Sequence, residues 1–223
     1  MKIVFPGINN VFDCNNKDYT WTLVIENQSL FYNILDDIIH QINGDDGKVV
    51  VSEDNKVLQT DKVIDVISQF VPFDINNRQI INKVVSRLSH VAVDGAHYEE
   101  TMELLSKIEE YCMNLAFDLS GNIIFSKVDA DSILKGVGVT FADDYTSLGE
   151  KLIDYFELVT EYDKVKLYLL INLRSYISDD EAENFIETVI SRGYQVLMIE
   201  SGEHPLLKCE KRYIVDANLC EIS

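Results

Sequence analysis

The sequence predicts an α/β protein interrupted by a helical excursion, and three observations carry that expectation. Leu167-Tyr168-Leu169-Leu170-Ile171 and Gln195-Val196-Leu197-Met198-Ile199 are continuous apolar runs on either side of an amphipathic segment. That is the pattern of a β-α-β unit whose parallel strands are buried on both faces. Trp21-Thr22-Leu23-Val24-Ile25-Glu26 adds a strand near the N-terminus, followed by helical periodicity. Between these regions the chain reads almost wholly helical. The expected architecture is a discontinuous α/β head, residues 1–58 and 140–223, with an α-helical leg inserted at residues 59–139.

In chain order, Ile3-Val4-Phe5 reads as a first strand and residues 21–26 as a second. A helix over residues 29–42 places Leu30, Ile34, Leu35, Ile38 and Ile42 on one face, opened by Gln28 or Ser29 and closed by Asn43-Gly44. Residues 48–51 suit a short buried strand. Thr60 is the expected N-cap of a helix carrying Val63, Ile64, Val66, Ile67 and Phe70, ended by Pro72, which cannot continue it. Asn76 or Asn77 caps a helix with Ile80, Ile81, Val84, Val85 and Leu88 on its apolar face. A longer helix over residues 97–117 follows, and its opposite face carries Glu99, Glu100, Glu103, Glu109 and Glu110, a charge run that reads as a solvated face. Ser178 with Glu181 forms a capping box for the helix of the β-α-β unit, and Tyr213-Ile214-Val215 with residues 218–222 completes the sheet.

Composition bounds the function. At 223 residues, 47% hydrophobic and with only ten Gly and three Pro, the chain can bury a sizeable core. No apolar run reaches the roughly 20 residues of a membrane span, and Pro6 breaks the N-terminal run too soon for a secretory signal. The cytoplasm is the expected location. Cys14, Cys112, Cys209 and Cys220 show no C-x-x-C pair and read as reduced, mostly buried thiols. With 38 acidic against 19 basic residues, the net charge of -19 repels polyanions. Two stretches escape it: residues 75–93 contain Arg78, Lys83, Arg87 and His90, and residues 164–178 contain Lys164, Lys166 and Arg174, with no Asp or Glu in either. Any phosphate contact belongs there.

Catalytic and nucleotide motifs fail on chemistry. Gly44-Asp45-Asp46-Gly47-Lys48 lacks the glycine spacing of a phosphate loop, puts two acids where phosphate would sit, and precedes a strand. Gly136-Val137-Gly138 lacks the third glycine and preceding strand of a dinucleotide fingerprint. No G-x-S-x-G or H-E-x-x-H occurs, and His40, His90, His97 and His204 stand alone. Asp179, Asp180, Glu181 and Glu183 could serve a two-metal nuclease, although acids in a first helical turn are stabilised by the helix dipole without any catalytic role. Asp118, Ser120, Asn122, Asp129 and Asp131 form an oxygen-rich constellation without EF-hand spacing, and an ordinary turn capped by Asp and Asn side chains explains it better than a metal.

Motif order along the whole chain resembles one family. Leu23-Val24-Ile25-Glu26-Asn27 with Phe31, Phe73-Asp74-Ile75-Asn76, Leu134-Lys135-Gly136-Val137-Gly138-Val139, Leu170-Ile171-Asn172 with Ser175-Tyr176, Val196-Leu197-Met198-Ile199-Glu200 and Tyr213-Ile214-Val215-Asp216 are similar to the small CRISPR-associated protein of type II-A systems, the ring-forming accessory factor of spacer acquisition. The resemblance implies a P-loop-ATPase-like head without a working nucleotide site, plus the inserted leg. It further implies a homotetrameric ring, no enzymatic activity, binding of double-stranded DNA ends in a basic lumen, Ca2+ as cofactor, and the CRISPR integrase and effector proteins as partners. On that reading Arg78, Lys83, Arg87, Lys164, Lys166 and Arg174 are DNA-binding candidates, and Asp118, Asp129 and Asp131 are calcium candidates. The alternative is a metal-dependent nuclease or degenerate nucleotide hydrolase on the same head.

Overall fold

The computed structural model describes residues 1–117 and 119–223. The elements in order are β1 (Lys2–Val4), β2 (Phe12–Asp13), β3 (Thr20–Ile25), α1 (Gln28–Ile42), β4 (Val50–Glu53), β5 (Lys56–Leu58), α2 (Thr60–Val63), β6 (Ile64–Ile67), α3 (Arg78–Val93), α4 (Tyr98–Ala116), α5 (Ala130–Val137), α6 (Leu148–Tyr162), β7 (Leu167–Ile171), α7 (Asp179–Arg192), β8 (Gln195–Glu200), β9 (Glu210–Val215) and β10 (Glu221–Ile222). The chain divides into two compact units, residues 1–73 with 144–223, and residues 74–143.

The first unit is a mixed α/β structure around a six-stranded sheet of order β10-β9-β3-β8-β7-β6. Strands β3, β6, β7, β8 and β9 pair in parallel, and β10 adds an antiparallel edge. Every residue of β3 and β7 is buried, which is why β7 is a continuous apolar run and β3 is apolar but for Thr20 and Thr22. On one face Trp21, Leu23, Leu169, Leu197 and Tyr213 join Ile34 and Ile38 of α1 and the antiparallel sheet β2-β1-β4-β5 in a single core. On the other face Phe156 of α6 stacks on Tyr168 of β7 at 3.9 Å between ring centres and meets Phe185 of α7.

Several elements differ from the sequence expectation, among them β2, β5 and α5, which it did not contain. The segment after Thr60 is not a long helix: α2 lasts one turn, and residues 64–67 become β6, paired with β7 from Ile64↔Leu167 to Ile67↔Leu170. The run Val63-Ile64, Val66-Ile67 is rich in β-branched side chains, which favour a pleated surface when a partner strand is present. Residues 60–73 therefore belong with the sheet. Helix α6, which the sequence reading did not assign, supplies Leu152, Ile153, Tyr155, Phe156 and Val159 to the core.

The second unit is helical. Ile80, Val84 and Val85 form the buried face of α3, which packs against α5 and α4. Asn77 caps α3 by accepting the Gln79 N–H at 2.8 Å. The Asn76 carboxamide accepts the Phe141 N–H at 2.7 Å and donates to the Phe141 carbonyl at 3.3 Å, which ties the two ends of the unit together. Gly138 closes α5 in the left-handed conformation, φ 81°, so Gly136-Val137-Gly138 is a helix terminus and not a nucleotide loop.

Candidate functional site

The acid-free stretch of the second unit becomes a single helix. Within α3, Arg78 and Arg87 are exposed and Lys83 is half-buried. At about 100° per residue Lys83 and Arg87 share one side of the helix, whereas Arg78 lies roughly half a turn away from Arg87. The sequence thus brings Lys83 and Arg87 together and leaves Arg78 at the N-terminal end, on another side. Asp74, just before the stretch, accepts the Asn76 N–H at 2.8 Å.

In the first unit Lys164 and Lys166 are exposed, and they line a cavity of about 630 Å³ with Lys62, Gln59 and Val57. Lys166 donates to Glu53 at 2.7 Å, and the lysine holds that carboxyl below its ordinary range. Arg174 departs from its assignment as a DNA contact. Its side chain is 1% exposed, donates to Asp179 at 2.7 Å and the Pro205 carbonyl at 3.2 Å, and lies 3.6 Å from Glu210. A guanidinium held inside a carboxylate cage is not presented to phosphate. The reason is long-range: Glu200 ends β8 and Glu210 opens β9, and both converge on the turn after β7.

That cage is the buried ionic centre of the head, which sequence reasoning missed. Glu200 accepts the Arg174 N–H at 3.1 Å, and burial pushes its carboxyl up to about 7 despite the arginine. His204 sits 3.7 Å from Glu200, its imidazole pushed down by burial and by Arg174. Arg212 donates to Glu210 at 3.0 Å. Conversely, the acids proposed for a nuclease go separate ways: Asp179 to Arg174, Glu181 to the Gly149 N–H at 2.9 Å, and Glu183 to Lys208 at 3.2 Å.

The calcium candidates do not assemble a shell by themselves. Asp118 lies outside the described residues. Asp129 is the N-cap of α5, accepting the Ser132 N–H at 2.7 Å, and Asp131 pairs with Lys135 at 2.6 Å. A calcium ion takes six to eight oxygens, and among the described residues no three carboxylate, His or Cys groups converge to hold a metal. Of the cysteines, Cys14 is buried with its thiol pushed up to about 12 by desolvation, but Cys209 and Cys220 are exposed, contrary to a mostly buried set.

The turn from β3 to α1 is short and capped by a side chain. Only Glu26 and Asn27 connect β3 to α1, and the Asn27 side chain accepts the Leu30 N–H at 2.9 Å as the N-cap of α1. Residues 41–219 match the family model described as CRISPR-associated protein (Cas_Csn2). The chain belongs to the Csn2 family. A CRISPR-associated protein Csn2 from Enterococcus faecalis is 19% identical over 188 residues, covering 81% of each chain. Stu0660 of Streptococcus thermophilus, a crystal structure, shares the fold with a TM-score of 0.52 at 12% identity, over 91% of this chain and 69% of that one. Among the described residues no helix is long and apolar enough to cross a membrane.

Proposed function

We propose that this Csn2-family protein is a non-catalytic homotetrameric ring that binds double-stranded DNA ends during spacer acquisition in a type II-A system. It works in the cytoplasm beside the CRISPR integrase and effector proteins. The observation that carries the reading, given the family, is α3: an acid-free helix presenting Lys83 and Arg87 on one side in a chain of net charge -19. Four copies of a modest basic patch facing one lumen add their potentials, so a protein that repels DNA elsewhere attracts it there.

The head is read as P-loop-ATPase-like in topology and inactive in chemistry. Strand β3, the first parallel strand in the chain, lies inside the sheet between β9 and β8. The strand order reverses beside it, where open α/β sheets place their ligands. Asn27 caps the helix at that point, which argues against nucleotide-driven work.

Lys83→Glu with Arg87→Glu tests the reading. The pair should abolish binding to linear duplex while the thermal transition and particle mass persist. Loss of DNA binding in Lys164→Glu with Lys166→Glu, with the α3 pair still binding, would move the DNA surface to the head. Cleavage of linear DNA in magnesium or manganese would overturn the non-catalytic assignment in favour of a nuclease.

A further inference from the structure

Helix α4 buries only Leu105, and its apolar side chains are divided between two faces. Met102, Cys112 and Ala116 lie half-buried around Leu105. Leu104, Tyr111 and Leu115 are 52%, 63% and 55% exposed, and the half-buried Ile108 lies between them. Positions 104, 108, 111 and 115 fall within about 60° of one another on an α-helix, so they form one apolar stripe. Contiguous exposed apolar surface of this kind marks an interaction site.

We propose that this stripe docks a basic amphipathic helix of a partner protein. The spacing i, i+4, i+7, i+11 is that of anchors in helix recognition by an apolar face. Charge selects the partner. Glu100, Glu103 and Glu110 flank the stripe along one side, and Lys107, the sole basic residue of α4, is engaged by Glu103. Glu99 and Glu109 bring the helix to five carboxylates against that one lysine. A second α4 laid antiparallel on the first would set Glu100, Glu103 and Glu110 beside the same residues of its copy. A helix with leucine-type anchors and flanking Lys or Arg satisfies both the apolar stripe and the carboxylates. The inference rests on α4 alone and is independent of the DNA reading.

The test uses the full chain and three labelled synthetic peptides of one length, followed by fluorescence anisotropy at about 0.15 M salt. The first carries Leu at i, i+4, i+7 and i+11 with Lys beside them, the second is the same composition scrambled off a single face, and the third has Glu for Lys. The first should bind about tenfold or more tightly than either control, since orientation and charge both contribute. Leu104→Ser with Tyr111→Ser and Leu115→Ser should remove that binding and leave particle mass and thermal transition unchanged. Glu103→Gln with Glu110→Gln, which alters only exposed groups, should weaken it and flatten its salt dependence. Equal binding of the scrambled peptide would reduce the effect to bulk charge and overturn the proposal. A drop in particle mass in the serine variant with peptide binding intact would assign the stripe to a second copy instead.

Discussion

Arg174 donates its backbone N–H to the Glu200 carboxylate at 3.1 Å, and both residues are almost wholly buried. Glu200 Oε2 has no hydrogen-bond partner of its own, and neither do Nε and Nη1 of Arg174. The centre is held by charge more than by saturated hydrogen bonding. Such a group is stable as a set and costly to break singly.

Removing the cation should therefore be a folding defect. Arg174→Met leaves Glu200 and Glu210 without the guanidinium between them, and the expected cost is about 3–5 kcal/mol. Denaturant melts should show it. DNA affinity per folded molecule should not change, and a stable variant with weakened DNA binding would return Arg174 to the DNA surface.

Stability should fall with pH through this centre. The Glu200 carboxyl is raised to about 7 by burial, above its ordinary value of 4.5, so the folded state holds its proton more tightly than the unfolded state. The favourable contribution is complete below the unfolded value and is lost as pH rises through about 7. Arg174, Glu210, His204 and Arg212 face the same centre, so a difference measurement is needed. Glu200→Gln mimics the protonated acid. Its melting temperature should match the parent near the low end of that window and exceed it above, whereas parallel curves would exclude Glu200 as the titrating group.

Much of the head was legible because its signals are local. Strands β7 and β8 announce themselves as continuous apolar runs, and Ser178 caps α7 by accepting the Glu181 N–H at 3.2 Å, while the Glu181 carboxylate accepts from Gly149 and leaves the capping box half formed. Ser147 does the same for Glu150 at 3.1 Å, and Leu148, Leu152, Tyr155 and Val159 follow at helical spacing, so α6 was also readable but was not read. Residues 60–70 mislead for a physical reason: Val63, Ile64, Val66, Ile67 and Phe70 fit a helical period, and only pairing with the distant β7 makes a strand of residues 64–67. Arg174 fails likewise, because beyond Asp179 of α7 the carboxylates around it, Glu200 and Glu210, come from β8 and β9. Basic residues on α3 could be placed on a helix from sequence, and the separation of Arg78 from Lys83 and Arg87 follows from their spacing at about 100° per residue.

Phe156 should be the most sensitive aromatic of the head. It is fully buried, stacked on Tyr168 and edge-on to Tyr194 at 5.5 Å. Phe156→Ala should cost about 3–5 kcal/mol in denaturant melts, the range for truncating a core phenylalanine. A cost below about 1 kcal/mol would mean that α6 does not pack on the sheet as described.

Asp129 should act as a helix cap with or without calcium. Asp129→Ala should cost about 1 kcal/mol, whereas Asp129→Asn keeps an acceptor for the Ser132 N–H and should be nearly neutral. Melting of Asp129→Asn with Asp131→Asn, in calcium and in chelator, should show the same small shift in both. A calcium-induced rise in the parent that vanishes in this variant would make both residues ligands, completed by groups beyond those described.

The central claim is that a ring threads onto DNA ends. Its most direct test is the affinity of the protein for a linear duplex and for a small closed circle of the same sequence, titrated at several salt concentrations. A threading ring should bind the linear form tightly and the circle weakly, and lose affinity steeply with salt as counterions are released. Equal affinity for the two forms would contradict it.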